Sequence, residues 1–248
     1  MRTSFRTNAF TLIEMLAATA ITVTLVALLI PTVSKVRNQA DSTKCLSNLR
    51  TLGVAINLHA ADNDDRLPGP AGTGLGRAVA NNQTVQLIYH LQPYLGLPTP
   101  TATPVYAEIL HCPALRRGIL GTQTNWYDVT AYAGYSNNDL PTDKRYLTDR
   151  TVIDDIGQSW PVGPWGRSNS TPAIPGWKRS WISSAIDETK TTPSGGKPTL
   201  ASIPAIREID ATLKSWPWPV PSVAPHGAYH NVLFFDWHVE RMPVTAYK

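Results

Sequence analysis

From Phe10 to Ile30 the chain is apolar apart from scattered Thr and one acid, Glu14, and it carries no other charge over that stretch. Roughly 20 residues of this kind are what a helix needs to cross a hydrocarbon core. Beyond Pro31 the pattern changes without losing its helical period. Val33, Val36, Ala40, Leu46, Leu49, Leu52, Gly53 and Ile56 recur mostly at three- and four-residue steps, while Lys35, Arg37, Asn38, Gln39, Asp41 and Lys44 lie mostly off that stripe. One helix from Phe10 to about Ala60 is therefore predicted, about 75 Å long, with a kink at Pro31 where a backbone hydrogen bond is lost. Its first half reads as a membrane span; its second half needs a domain to cover the stripe. The run Asp62-Asn63-Asp64-Asp65, followed by Leu67-Pro68-Gly69-Pro70, ends the helix near Ala61.

The remaining pattern is shorter in range. Thr84 to Leu95 predicts a short helix broken at Pro93, and Glu108 to Pro113 and Thr130 to Ser136 read as short strands. Residues 141–225 are rich in Pro, Gly, Ser and Trp and read as a loop-rich insertion, with a strand at Trp177 to Ile186 and a helix near Ile203 to Leu213. Six Trp (Trp160, Trp165, Trp177, Trp181, Trp216 and Trp218) fall in this stretch, more apolar rings than a disordered linker carries. Asn231 to Phe235 and His238 to Met242 flank Asp236-Trp237 and predict a terminal hairpin over 231–242. The expected class is α+β: a long kinked N-terminal helix packed on a small antiparallel sheet.

Length and charge narrow the partners. A chain of 248 residues holds one membrane helix and a soluble domain of ordinary size. Its net charge of +4 falls to +2 without Arg2 and Arg6, too little and too scattered to point to nucleic acid. Arg2 and Arg6 favour a cytoplasmic start with the rest of the chain on the far side of the membrane, against a weaker opposing vote from Lys35 and Arg37. Cys45 and Cys112 would then meet an oxidising compartment, where they form one disulfide or stay as two buried thiols.

The run Ala9-Phe10-Thr11-Leu12-Ile13-Glu14 resembles the processing site of type IV prepilins and type II secretion pseudopilins, in which Gly usually precedes Phe-Thr-Leu-Ile-Glu. The resemblance implies removal of a basic leader, residues 1–9, by a prepilin peptidase that cuts between Ala9 and Phe10 and N-methylates Phe10. Glu14 becomes the fifth residue of the processed chain. Ala9 stands where the family has Gly. A second resemblance, to a large prepilin-like family of planctomycete and related bacteria, rests on His226 followed after nine residues by Asp236, where the family has His, nine residues and Asp-Gly. Trp237 stands in the Gly position and puts a positive-φ turn in question. Cys45-Leu46-Ser47-Asn48-Leu49-Arg50, Leu67-Pro68 and His111-Cys112-Pro113 agree with that family too. The two resemblances touch 1–70, 109–113 and 226–242 and leave the middle unmatched.

They imply a pilin-like organisation: leader 1–9, transmembrane and assembly helix 10–34, and soluble domain 35–248 with its helix continuation over 35–61. The implied work is structural, as a subunit of a type IV pilus or a type II secretion pseudopilus and not as an enzyme. The implied partners are the prepilin peptidase and methyltransferase, other pilin or pseudopilin subunits and inner-membrane lipid, with the soluble domain in the periplasm or on a filament. A competing reading is a membrane-anchored carbohydrate-binding or adhesive module with Trp rings for stacking on sugars; core packing of the rings is the plainer alternative.

Glu14 carries the most specific chemistry. Its carboxylate can pair with the amino terminus of Phe10 on a neighbouring subunit, so that two charges costly to bury alone offset each other. The plainer role is recognition by the peptidase. His226, His230, Asp236 and His238 are zinc-type ligands by composition, but their place around a hairpin turn favours hydrogen bonding of Asp236 to its own backbone and of His226 to the turn. Asp62, Asp64 and Asp65 offer oxygen for calcium without the spacing of a ligand loop, and no cofactor is otherwise indicated. No serine nucleophile elbow, phosphate-binding Gly loop or Cys-x-x-Cys is present.

Overall fold

Helix α1, Leu12–Asp62, begins on a reciprocal cap. The Thr11 backbone N–H donates to the Glu14 carboxylate at 2.8 Å, and the Glu14 N–H donates back to Thr11 Oγ1 at 3.3 Å. This is the capping box that Thr-x-x-Glu produces at a helix start. The computed structural model describes residues 11–71, 79–80, 83–99, 101–103, 105–115, 132–134, 143, 145–148, 150–153, 159–167, 172–209 and 224–246. Ala9, Phe10, Trp216 and Trp218 lie outside them.

The chain divides into two units, Met1–Ala40 and Asp41–Lys248. In the first, α1 runs unbroken through Pro31. Its hydroxyls turn back onto the helix: Thr22 Oγ1 donates to the Ala18 carbonyl, Thr24 Oγ1 to Ala20 and Ser34 Oγ to Ile30. Such bonds let Thr and Ser sit in an apolar helix without an outside partner.

In the second unit the same helix buries one face. Ser42, Cys45, Asn48, Leu49, Leu52, Ala55, Ile56, His59 and Ala60 are buried and recur at three- and four-residue steps. The buried stripe therefore starts at Ser42. Val33 and Val36, which the periodicity placed on it, are exposed. Across the stripe lies a four-stranded antiparallel sheet of order β3-β6-β7-β8, built from β3 Tyr132–Gly134, β6 Pro204–Glu208, β7 Tyr229–Phe234 and β8 Val239–Pro243. Contact is close at Gly53: a Cβ there would lie 3.1 Å from Leu233 Cδ1, tighter than an ordinary van der Waals contact. The hairpin expected over 231–242 is β7 with β8, in the register Val232 to Glu240.

Smaller pieces complete the unit. Strand β1, Val79–Ala80, pairs with β2, Val105–Tyr106, and β4, Arg150–Ile153, pairs with β5, Ser159–Val162. Helix α2, Leu87–Leu91, passes into a 3-10 turn over Gln92–Leu95, with Pro93 inside the turn.

Three expected elements are corrected. Residues Glu108–Leu110 form a 3-10 turn and not a strand; the strand lies just before, at Val105–Tyr106. Trp177 to Ile186 contains helix α3, Arg179–Ser184, and not a strand. The helix expected near Ile203 to Leu213 is strand β6 over the described part. Ile203, Ile206 and Ile209 have helical spacing, but β6 is hydrogen-bonded to β3 on one side and β7 on the other, and that pairing overrides local preference. Pro204 is tolerated as the first strand residue, beside a register shift.

Trp165 and Trp177 belong to the core, Trp165 stacking on Phe235 with ring centres 6.0 Å apart. Trp181 is partly exposed, and the Arg66 guanidinium sits over its ring.

Where α1 ends, the His59 ring meets His90 and Tyr94 edge-on. Both imidazoles are held below their ordinary pKa, first by desolvation; the carbonyls of Arg66 and Thr84 respectively oppose that shift. A depressed folded pKa makes each neutral ring a source of stability above the unfolded value of about 6.5, lost as pH falls through the folded pKa. The urea midpoint should therefore drop between about pH 7.5 and about pH 5.5. A His59→Asn/His90→Asn chain should lose less over the same interval, and an unchanged slope would count against the assignment.

Candidate functional site

The apolar segment at the start of α1 is the first candidate. Leu12, Ile13, Leu16, Ile21, Leu25, Leu28 and Ile30 are all exposed. This end of α1 is long and apolar enough to cross a membrane, and none of its most apolar window is buried. Glu14 stands near its start, with the Thr11 hydroxyl adding a third bond, donating to the carboxylate at 2.8 Å. The capping role is one that sequence reasoning passed over, although Thr-x-x-Glu ahead of an apolar run is its signature.

The second candidate is assembled from distant parts of the second unit. Cys45 on α1 and Cys112 are joined by a disulfide spanning 67 residues of sequence. Asn48, one helical turn after Cys45, donates its side-chain N–H to the His111 carbonyl at 3.0 Å, so helix and segment are tied twice. Against this bridge lies His226, whose Nε2 is 3.3 Å from Cys112 Sγ and 3.0 Å from Glu208 Oε1. Glu208, the last residue of β6, is fully buried. It accepts from the Asn231 backbone N–H at 2.8 Å and from Asn231 Nδ2 at 2.9 Å. Sequence reasoning missed Glu208 because it placed the residue on a helix; an acid in a central strand is the signal that identifies it.

This arrangement takes apart the cluster expected from sequence. His226 turns to Glu208 and Cys112 and not to the Asp236 turn. His230 is buried within β7, opposite Met242. Asp236 and His238 bond each other: the His238 backbone N–H donates to Asp236 Oδ1 at 3.2 Å, as an Asp in a turn commonly arranges, and His238 Nδ1 lies 2.5 Å from the same oxygen. His238 also stacks on Phe234. Neither do the three acids at the end of α1 come together. Asp65 is bound by Arg179 at 2.5 Å, and no ligand group forms with Asp62 and Asp64 among the described residues. Among the described residues, the group of three or more ligand-type side chains whose ligand atoms converge is Cys45, Cys112, Glu208 and His226.

Trp237 resolves the question its position raised. It keeps the left-handed backbone that Gly adopts easily, with φ 71°. Its ring packs on the core, edge-on to Phe235, which offsets the strain. Trp237→Ala removes the ring and keeps the strain, whereas Trp237→Gly removes both. The Gly chain should be more stable than the Ala chain by about 1 kcal/mol in urea unfolding. Equal stabilities would mean that the turn relaxes in the variants.

No protein-family model, curated protein or solved structure matches the chain.

Proposed function

We propose that this chain is a prepilin-like structural subunit, cut between Ala9 and Phe10, N-methylated on Phe10 and assembled through the first half of α1 into a type IV pilus or a type II secretion pseudopilus. The observation that carries this reading is the exposed apolar surface of Leu12 to Ile30 with one carboxylate, Glu14, at its head. A surface of that size is unfavourable in water and is covered by lipid before assembly and by neighbouring copies of the same segment afterwards. Glu14 then meets the new amino terminus of an adjoining subunit, and its bonds to Thr11 keep the carboxylate at the helix start where that group arrives. The second unit is periplasmic or displayed on the filament in this reading, consistent with its disulfide.

Trp165 and Trp177 are buried and lend nothing to the adhesive alternative, whereas Trp181 is exposed with the Arg66 guanidinium over one side of its ring. The test is mechanical shearing and sedimentation of cells producing the chain. Recovery in a high-mass polymer is expected; recovery only as single chains in washed membranes would contradict assembly.

A further inference from the structure

We propose that Cys45, Cys112, Glu208 and His226 form a binding site for a zinc-class divalent cation, available while the two cysteines are thiols. One ligand atom from each residue lies within 4.8 Å of all the others. Around tetrahedral zinc, with bonds of about 2.0–2.3 Å, neighbouring donors sit roughly 3.3–3.8 Å apart. His226 Nε2 is already 3.3 Å from Cys112 Sγ and 3.0 Å from Glu208 Oε1. Once the sulfurs are no longer bonded, they can separate toward that spacing, and the remaining donor pairs start within 4.8 Å of each other. Two sulfurs, one imidazole nitrogen and one carboxylate oxygen form a donor set suited to zinc, and too soft for calcium or magnesium.

The surroundings suit a cation as well. Glu208 is a fully buried carboxylate, and buried charges are paired or coordinate metals. Asn231 holds the carboxylate with two N–H groups, the kind of outer contact that fixes a ligand's orientation. The four ligands come from α1, the segment after the 3-10 turn Glu108–Leu110, the end of β6 and the turn before β7. A bound cation would thus link four parts of the fold where the disulfide links two.

The redox step balances simply. A phosphine takes up the oxygen of one water to become the phosphine oxide, and the Cys45–Cys112 bond is replaced by two thiols that carry the two hydrogens of that water. Binding of the cation then releases both thiol protons to solvent. A newly made chain also has free thiols, so the same four donors are available once the domain folds and before the bridge forms.

The test uses the full chain in detergent, reduced anaerobically with a phosphine and titrated first with cobalt(II), then with zinc(II). One equivalent of cobalt per chain is expected, with thiolate-to-metal charge-transfer absorption and tetrahedral d–d bands that zinc abolishes. The oxidised chain should give neither. His226→Ala should change or lose the d–d bands, and Asn231→Ala should weaken binding about 10–100-fold. A reduced chain with no thiolate–cobalt band, or a His226→Ala chain with unchanged bands and affinity, overturns the site. Circular dichroism accompanies the titration: if reduction unfolds the chain, recovery of the fold on adding the cation is expected, and its absence is equally contrary.

Discussion

A Glu14→Ala chain is expected to be cut between Ala9 and Phe10 as efficiently as the parent and to form no filament. In the proposed assembly, cleavage depends on the segment around the cut, whereas packing of subunits would bury the new amino terminus beside a carboxylate that the variant lacks. Glu14 also closes the capping box with Thr11, so loss of assembly in the Ala variant alone would not separate the two roles. Glu14→Gln separates them, because Gln serves the same box without the charge. If pairing is the operative interaction, the Gln chain also fails to assemble, while the helical content of both variants stays near the parent's. Processing is read from the electrophoretic shift and assembly from the sheared, sedimented fraction. Normal filaments from the Gln chain would rule out the charge pair and leave Glu14 with capping or recognition by the peptidase.

Replacing both cysteines should produce the largest loss of stability. The Cys45–Cys112 bridge closes a loop of 67 residues, for which the chain-entropy account gives about 4 kcal/mol. For a unit the size of Asp41–Lys248, that corresponds to a melting temperature lower by roughly 10 °C. The measurement is thermal unfolding of the Cys45→Ser/Cys112→Ser chain beside the oxidised parent, both with a chelator present. An unchanged melting temperature would mean that the bridge does not constrain the unfolded chain, and that contacts such as the Asn48 bond to the His111 carbonyl hold that segment without it. Helix α1 is the element most exposed to the loss, since its buried stripe begins with Ser42 and Cys45.

Most of the long-range architecture was readable where one periodicity persisted. The apolar run and the stripe after it placed α1 to within a few residues at each end, and the two runs of strand formers flanking Asp236-Trp237 placed the β7–β8 hairpin. The stripe's start was misplaced because Val33 and Val36 keep the period without being buried, whereas Ser42, Asn48 and His59 are buried without being apolar. Between Pro141 and Pro225 the periodic signal is short, and tertiary pairing decided the outcome: Pro204–Glu208 entered the sheet between two strands despite its helical spacing of Ile. That error also hid Glu208, and with it the reason for His226. The family resemblance pointed to His226 and Asp236 as a pair, yet the fold gives each a different partner, and their separation along the chain carried no information about either partner. Trp237 shows the reverse case, where a residue unfavourable to its backbone conformation is accommodated by its packing.

Whether the chain is processed before it assembles through the start of α1 is decided by mass spectrometry of its amino terminus after isolation from native membranes. The expected chain begins at Phe10 and carries one methyl group on its amino nitrogen. A chain that still begins at Met1, or one cut near Ala20, would contradict it.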